Sequence, residues 1–375
     1  MHLDFYALHT LPYNNVNRDD LGSPKSCVYG GVERVRVSSQ SWKRPIRLAV
    51  EDALGEPTVR TRRIATEVAA RMVERGWSDN DARRAGRAMV YAYGLEPDAA
   101  DDDTNVLLWV PMIADDLADL AEKHADTVRD LPLPETDAKG KVKAPSKKDV
   151  QAVVEPLTND VRTVLNRRSP TITMLGRMLA DRPDHTVYGL TQVAHAFTVH
   201  EGIPEFDFFT AVDDLTEGTG SAHLGSASYS TGTFYRYSSI NVSALATQIG
   251  RDAAFVAATA WARAFFTTVP NGKQTTTGAR TVADLAYVAL RDQPLNLSSA
   301  YEAPVHTNGG GYLEPAAKAL GAYAAKLTTY TDAPAAWEAH ATTVDTEIDG
   351  LGDRLPSLGQ LTTATSSALE AQVTS

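Results

Sequence analysis

Between residues 17 and 47 the chain sets seven basic side chains, Arg18, Lys25, Arg34, Arg36, Lys43, Arg44 and Arg47, against three acidic ones, Asp19, Asp20 and Glu33. The whole chain carries −11, so this window is locally +4 and the rest is −15. Phosphate binding depends on basic groups that displace counterions. A basic strip on an acidic body therefore suits a polyanion held on one face. The spacing gives the strip a shape. Val32-Glu33-Arg34-Val35-Arg36-Val37 alternates with period two, which places Arg34 and Arg36 on one face of a strand. Ser38, Ser39 and Gln40 follow as small polar groups and offer an N-cap to a helix over 42–54. Lys43 and Arg47, four apart, share a face of that helix, and its first turn presents backbone N–H groups to an anion. Single-stranded RNA is held by such groups, with apolar side chains against its bases. A solvated amphipathic strand and helix would have the same composition, and composition leaves both readings open.

Other candidate sites are weaker. Asp19 and Asp20 would need further converging oxygen ligands for metal-assisted hydrolysis, so a structural or ion-paired role is expected of them. His195 and His200 are five apart and lack the glutamate of a zincin motif. Gly218-Thr219-Gly220 is followed by neither the lysine nor the helix of a phosphate loop. Cys27 has no evident base and reads as a small buried residue. No catalysis, cofactor or metal is expected. A single cysteine excludes an intramolecular disulfide and points to the cytoplasm. No apolar run reaches the ~18–20 residues of a membrane span, and the first residues lack the pattern of a secretory signal.

The elements that must carry the strip can be read coarsely. Residues 3–11 form a first strand, 14–24 a loop dense in turn formers, 32–37 the basic strand and 42–54 a helix. Helices follow near 64–74, where Ile64, Val68 and Met72 recur every four residues, and near 79–92, 112–128 and 149–166. The segment 135–148, with five lysines and almost nothing apolar, reads as a solvated loop. Strand character returns near 187–200 and 233–237, and the glycine-rich stretch between them suggests a long projecting hairpin. Helices near 251–268, 315–329 and 333–348, a strand near 283–291 and a frayed tail after Pro356 complete the chain.

Several blocks are recognisable together. They are Asn17-Arg18-Asp19-Asp20, Gly22-Ser23-Pro24-Lys25, and Gly30 through Arg44. Gly176-Arg177-Met178, Phe209-Thr210-Ala211-Val212-Asp213-Asp214, Gly220-Ser221-Ala222-His223-Leu224-Gly225 and Phe234-Tyr235-Arg236-Tyr237 follow, with a weaker Pro270-Asn271-Gly272-Lys273-Gln274. In this order they resemble the CasC-type backbone subunits (Cas-seven superfamily) of type I-E CRISPR Cascade complexes. The resemblance implies an α+β fold: an RRM/ferredoxin-like palm, an inserted helical fingers domain and a β-hairpin thumb. The corresponding boundaries are palm 1–57, fingers 58–168, palm 169–200, thumb 201–233 and palm with C-terminal helices 234–375.

The same resemblance implies that copies stack head to tail on CRISPR RNA, kink it at regular steps and present it to target DNA. It implies large, small, 5′-cap and 3′-hairpin endoribonuclease subunits as further partners, and no membrane. It places Arg18, Lys25, Ser39, Gln40, Lys43, Arg44 and Arg47 near the guide backbone, with Lys273 and Gln274 as weaker additions. Arg34, Arg36, Ser38 and Arg177 join the RNA-binding set. Met178 is the apolar wedge beside a displaced nucleotide, although Met174, Leu175, Met178 and Leu179 also read as a core stripe. Phe209 and Thr210 belong to the thumb, where Phe206, Phe208 and Phe209 would equally make a small core, and Asp213 and Asp214 brace it. A metal-dependent ribonuclease of the type III kind and a stand-alone RNA-binding module are the alternatives.

Overall fold

The computed structural model describes residues 1–179, 183–212 and 221–371. The chain divides into two compact units, Met1–Leu54 with Leu190–Ser375, and Gly55–Gly189.

The first unit is built on a large, mostly antiparallel sheet. Its order runs from the short edge strand Asp353–Arg354 through Trp337–Thr342, Leu285–Arg291, β1 (His2–Asn14), Ser221–Asn241 and Ala196–Thr198 to β3 (Val32–Val37) and β2 (Ser26–Tyr29). β1 is central, with Tyr6 opposite Tyr237 on one side and Tyr287 on the other. The Tyr6 ring lies 5.3 and 4.8 Å from those two rings. Strand alternation gives the sheet two packed faces. Tyr6, Leu8, Tyr235 and Tyr287 pack with the helix Leu313–Thr331. The opposite residues Phe5, Ala7, Arg236 and Ser238 are buried on the side where α1 (Ser39–Leu54) and the helix Arg251–Thr267 supply Trp42, Trp261 and Phe265. This mixed sheet-and-helix architecture agrees with the expected fold class.

Two expectations for the C-terminal part fail. The segment 333–348 is not a helix: Trp337–Thr342 is a strand paired with Leu285–Arg291. Its alanines favour a helix in isolation, but Ala339 and Ala341 are buried in the sheet, and tertiary pairing overrides the propensity. The tail is ordered as a helix, Leu358–Ala371, because Leu361, Thr365 and Leu369 recur every four residues and are buried.

The second unit is mainly helical. Val68, Met72, Ala85, Met89, Leu117 and Val161 form its core, drawn from the helices Ile64–Glu74, Asp79–Tyr93, Ala114–Lys123 and Thr158–Leu165. The unit is wider than 58–168, because residues 169–189 belong to it rather than to the sheet. Arg177 explains the shift: it donates to the carbonyls of Trp109, Leu165 and His185 inside this unit. The lysine-rich segment is a small hairpin, Glu135–Thr136 with Val142–Lys143, whose turn is closed by Asp137 accepting from the Lys139 and Lys141 amides. No described helix is long and apolar enough to cross a membrane.

Candidate nucleic-acid interface

Residues 15–25 join β1 to β2 and are pinned at several points. Asn15 donates to the carbonyls of Gly22 and Ser228, and the Ser23 and Ser228 hydroxyls meet at 2.9 Å. Asn17 accepts the Lys25 amide through its carbonyl and the Ser38 amide through Oδ1, at 3.0 and 2.7 Å. One asparagine thus fixes Lys25 beside the start of α1. The Arg36 amide donates to the Lys25 carbonyl at 2.7 Å. The Val16 carbonyl accepts from Ser41 in α1, and a Cβ at Gly272 would come within 2.6 Å of it. Only glycine permits that approach, which seats the loop carrying Lys273 against the same corner.

The cations then converge on His195. Arg36 donates to His195 Nδ1 at 2.7 Å. Burial pushes the His195 imidazole below its ordinary pKa, and the charges of Arg36, Lys25 and Lys43 push it further. Burial also lowers the Lys43 ammonium. No described carboxylate pairs with Lys25, Arg36 or Lys43; Arg18, Gln40 and Arg44 are exposed nearby in sequence, and Lys273 is exposed on the loop seated at Val16. A patch of like charges without counterions, beside the first turn of a helix, can bind phosphates.

Several residues expected at the ligand are buried in the chain. Arg34 is 0 % exposed and donates to the carbonyls of Tyr29, Thr198 and Tyr301. It shares its strand face with Arg36, but residues 298–302 cover one end of that face and leave the other open. Arg177 is buried by its three carbonyls, and Arg47 is buried in an ion pair with Glu51 at 3.3 Å. Ser38 and Ser39 are buried at the start of α1. Gln274 is buried and donates to the Pro270 and Ala279 carbonyls, so it shapes the loop that presents Lys273. Of these six buried residues, Arg34, Arg177 and Gln274 hold backbone carbonyls in place.

The apolar candidates sort differently. Met178 is 81 % exposed while Met174 and Leu179 are buried. The core-stripe reading fails at Met178 because the helix Pro170–Leu175 ends at Gly176, whose φ of 78° turns the chain. On the described part of the hairpin, Glu205–Val212 pairs with Ser221–Asn241, Phe209 opposite Gly225 and Thr210 opposite Leu224. Alternation puts Phe209 and Thr210 on opposite faces. The Phe209 ring lies across Gly225, where a Cβ would come within 2.4 Å of it. Phe206, Phe208 and Leu224 share the other face and are exposed, which excludes a small buried core there. Asp213 and Asp214 lie outside the described residues.

Asp19 is a turn former. Its Oδ1 accepts from the Leu21 and Ser23 amides, and the side chain closes the loop on itself. Among the described residues no three His, Cys, Asp or Glu side chains gather as a metal-binding group. Cys27 is half-buried on β2 rather than in the core. The sequence reading missed Asn17 and His195 as parts of the strip. Asn17 stands among turn formers, and His195 lies 159 residues beyond Arg36 with no motif that ties it to the strip.

The family described as CT1975-like protein matches residues 3–363. The chain belongs to this family. Its fold is also that of a chain in the solved structure "CRISPR RNA-guided surveillance complex, pre-nicking", with 39% identity, a TM-score of 0.87, and coverage of 98% of this chain and 100% of that one. A chain of a second structure, "CRISPR RNA-guided surveillance complex", gives 35% identity and a TM-score of 0.76 at the same coverage. Curated proteins give no match. The resemblance to Cascade backbone subunits, first carried by short motifs, therefore extends over the CT1975-like fold as a whole.

Proposed function

We propose that this protein is a CRISPR RNA-binding backbone subunit of a type I-E Cascade surveillance complex and has no catalytic activity of its own. Copies stack head to tail along the guide, kink it at regular intervals and hold it for pairing with target DNA in antiviral defence. The further partners are the large, small, 5′-cap and 3′-hairpin endoribonuclease subunits, and the setting is the cytoplasm. The observation that carries the reading is Arg36 donating to His195 at 2.7 Å, with Lys25 and Lys43 close enough to lower the same imidazole and no described carboxylate paired with any of the three, in a chain of net charge −11. Such a patch favours a polyanion over every other ligand class. Exposed Met178 and the exposed hairpin aromatics fit apolar contacts with unstacked bases. Base pairing supplies sequence specificity in guided complexes while protein holds the backbone, which matches a site made of cations and amides.

The type III ribonuclease reading finds no support at Asp19, whose carboxylate is engaged by its own loop. Titration of labelled single-stranded RNAs of unrelated sequence tests the proposal. Tight, salt-sensitive binding that ignores sequence and leaves the RNA intact is expected. Cleavage lost in Asp19→Ala would overturn the non-enzymatic reading, and no binding would overturn the proposal altogether.

A further inference from the structure

Beneath α1 lies a charge that the fold does not balance. Arg236, within the strand Ser221–Asn241, is 2 % exposed. Its guanidinium carbon sits 3.6 Å from the Trp42 ring centroid and 4.4 Å from that of Phe265. Arg236 Nη1 donates to His9 Nδ1 at 2.9 Å. Because a guanidinium offers no acceptor, His9 is neutral with its proton on Nε2. That nitrogen donates to Thr281 Oγ1 at 3.0 Å, and the Thr281 hydroxyl donates to the Thr10 carbonyl at 2.9 Å.

Among the described residues nothing else answers the charge: Arg236 Nε and Nη2 have no hydrogen-bond partner there, and no carboxylate pairs with the group. Other buried arginines are treated differently. Arg87 has Asp102, Arg291 has Glu338, and Arg34 and Arg177 have three carbonyls each. Burial pushes the Arg236 guanidinium well below its ordinary pKa, but an arginine starts so high that it keeps its proton across the working pH range, so among the described residues the cost of burying this cation is offset by two aromatic faces and one imidazole. Its position is informative. Trp42 shares the first turns of α1 with Gln40 and Lys43, and Thr281 follows the loop that carries Lys273.

We infer that the buried charge of Arg236 is balanced by the phosphates of bound RNA, so that Arg236 is a positioning residue of the interface that acts from below without touching the ligand. The inference rests on the RNA-binding reading above. Unit charges roughly 10 Å apart at an effective dielectric of about 20 change affinity on the order of tenfold.

The test uses the full chain with a labelled single-stranded RNA, read by anisotropy, and thermal melting without RNA. Arg236→Met should bind about tenfold more weakly, while its RNA-free melting temperature stays at or above that of the wild type, since an apolar isostere of an unbalanced ion is neutral or stabilising. Arg236→Lys, which keeps the charge, should bind within about threefold of the wild type. Should the methionine variant not fold, Arg236→Gln, which keeps a donor for His9 and drops the charge, is read in the same way. Wild-type affinity in the uncharged variants would overturn the inference. So would equal losses in the lysine and methionine variants that track their melting temperatures. Failure of the wild type to bind RNA would instead overturn the functional reading.

Discussion

In the helical unit, Arg71 reaches Glu74 and Asp115, Arg75 reaches Asp119 and Glu122, Arg83 and Arg87 share Asp102, and Arg167 meets Asp116. In the sheet unit, Lys25, Arg36 and Lys43 gather round a histidine and meet no described carboxylate. The two sets have similar residue types and opposite uses. Paired cations tie one helix or loop to another, and exposed pairs add little to stability because solvent screens them. Unpaired cations held close repel one another, and a fold keeps them together where an anion completes the arrangement. What separates the two sets is the location of the acids, a property of the fold rather than of any window of sequence.

The comparison breaks most visibly at Asp102. Asp102→Ala leaves buried Arg87 without its counterion, which should cost about 3–5 kcal/mol of stability by chemical denaturation. The salt dependence of RNA binding should not change, and a reduced slope would mean that the helical pairs also serve the RNA. Next in size is Lys25→Ala, Arg36→Ala and Lys43→Ala combined. Affinity should fall about a hundredfold at low salt, and the slope of log affinity on log salt should drop by roughly 2, at about 0.7 per phosphate contact. The melting temperature should hold or rise as repulsion is relieved. An unchanged slope would remove the patch from the interface.

A smaller effect sharpens the contrast between exposed and buried apolar groups. Met178→Ala should change stability by no more than ~0.5 kcal/mol, as for other surface positions. Met174→Ala, in the core, should cost about 2–5 kcal/mol. The smallest effect is in pH. His9, His195, His200 and His340 all have folded pKa values below the ordinary histidine value, each first through burial. They are neutral when folded and protonate in the unfolded chain, so stability is fully present above about pH 6.5 and declines as pH falls below it. RNA phosphates beside His195 would raise its pKa, so affinity should increase modestly as the pH falls towards 6. His195→Ala should flatten that rise.

Much of this arrangement was legible in the residues, and its limits are physical. Period-two alternation at 32–37 placed Arg34 and Arg36 on one face, and both do lie on it. Nothing local reveals that residues 298–302 bury one and spare the other, because the cover comes from more than 260 positions away. Lys43 and Arg47 share a helix face as their spacing requires, yet Glu51 one turn on claims Arg47. A variant pairing Lys43→Ala with Arg47→Ala therefore mixes a binding effect with a stability effect. The apolar period at Ile64, Val68 and Met72 identified its helix, since a four-residue repeat has few other solutions. Residues 337–342 did not, because alanine-rich strands owe their state to their neighbours. Trp42 and Arg236 stood inside recognised blocks without a role, since their contact joins elements almost two hundred residues apart.

The central claim is best tested by sedimentation of the protein with single-stranded RNAs of increasing length. The account predicts stepwise addition of one copy per fixed increment of RNA, with the RNA intact at the end. A single bound copy at every length would contradict it and leave an isolated RNA-binding module, and shortened RNA would return the loop carrying Asp19 and Asp20 to consideration as a catalytic site.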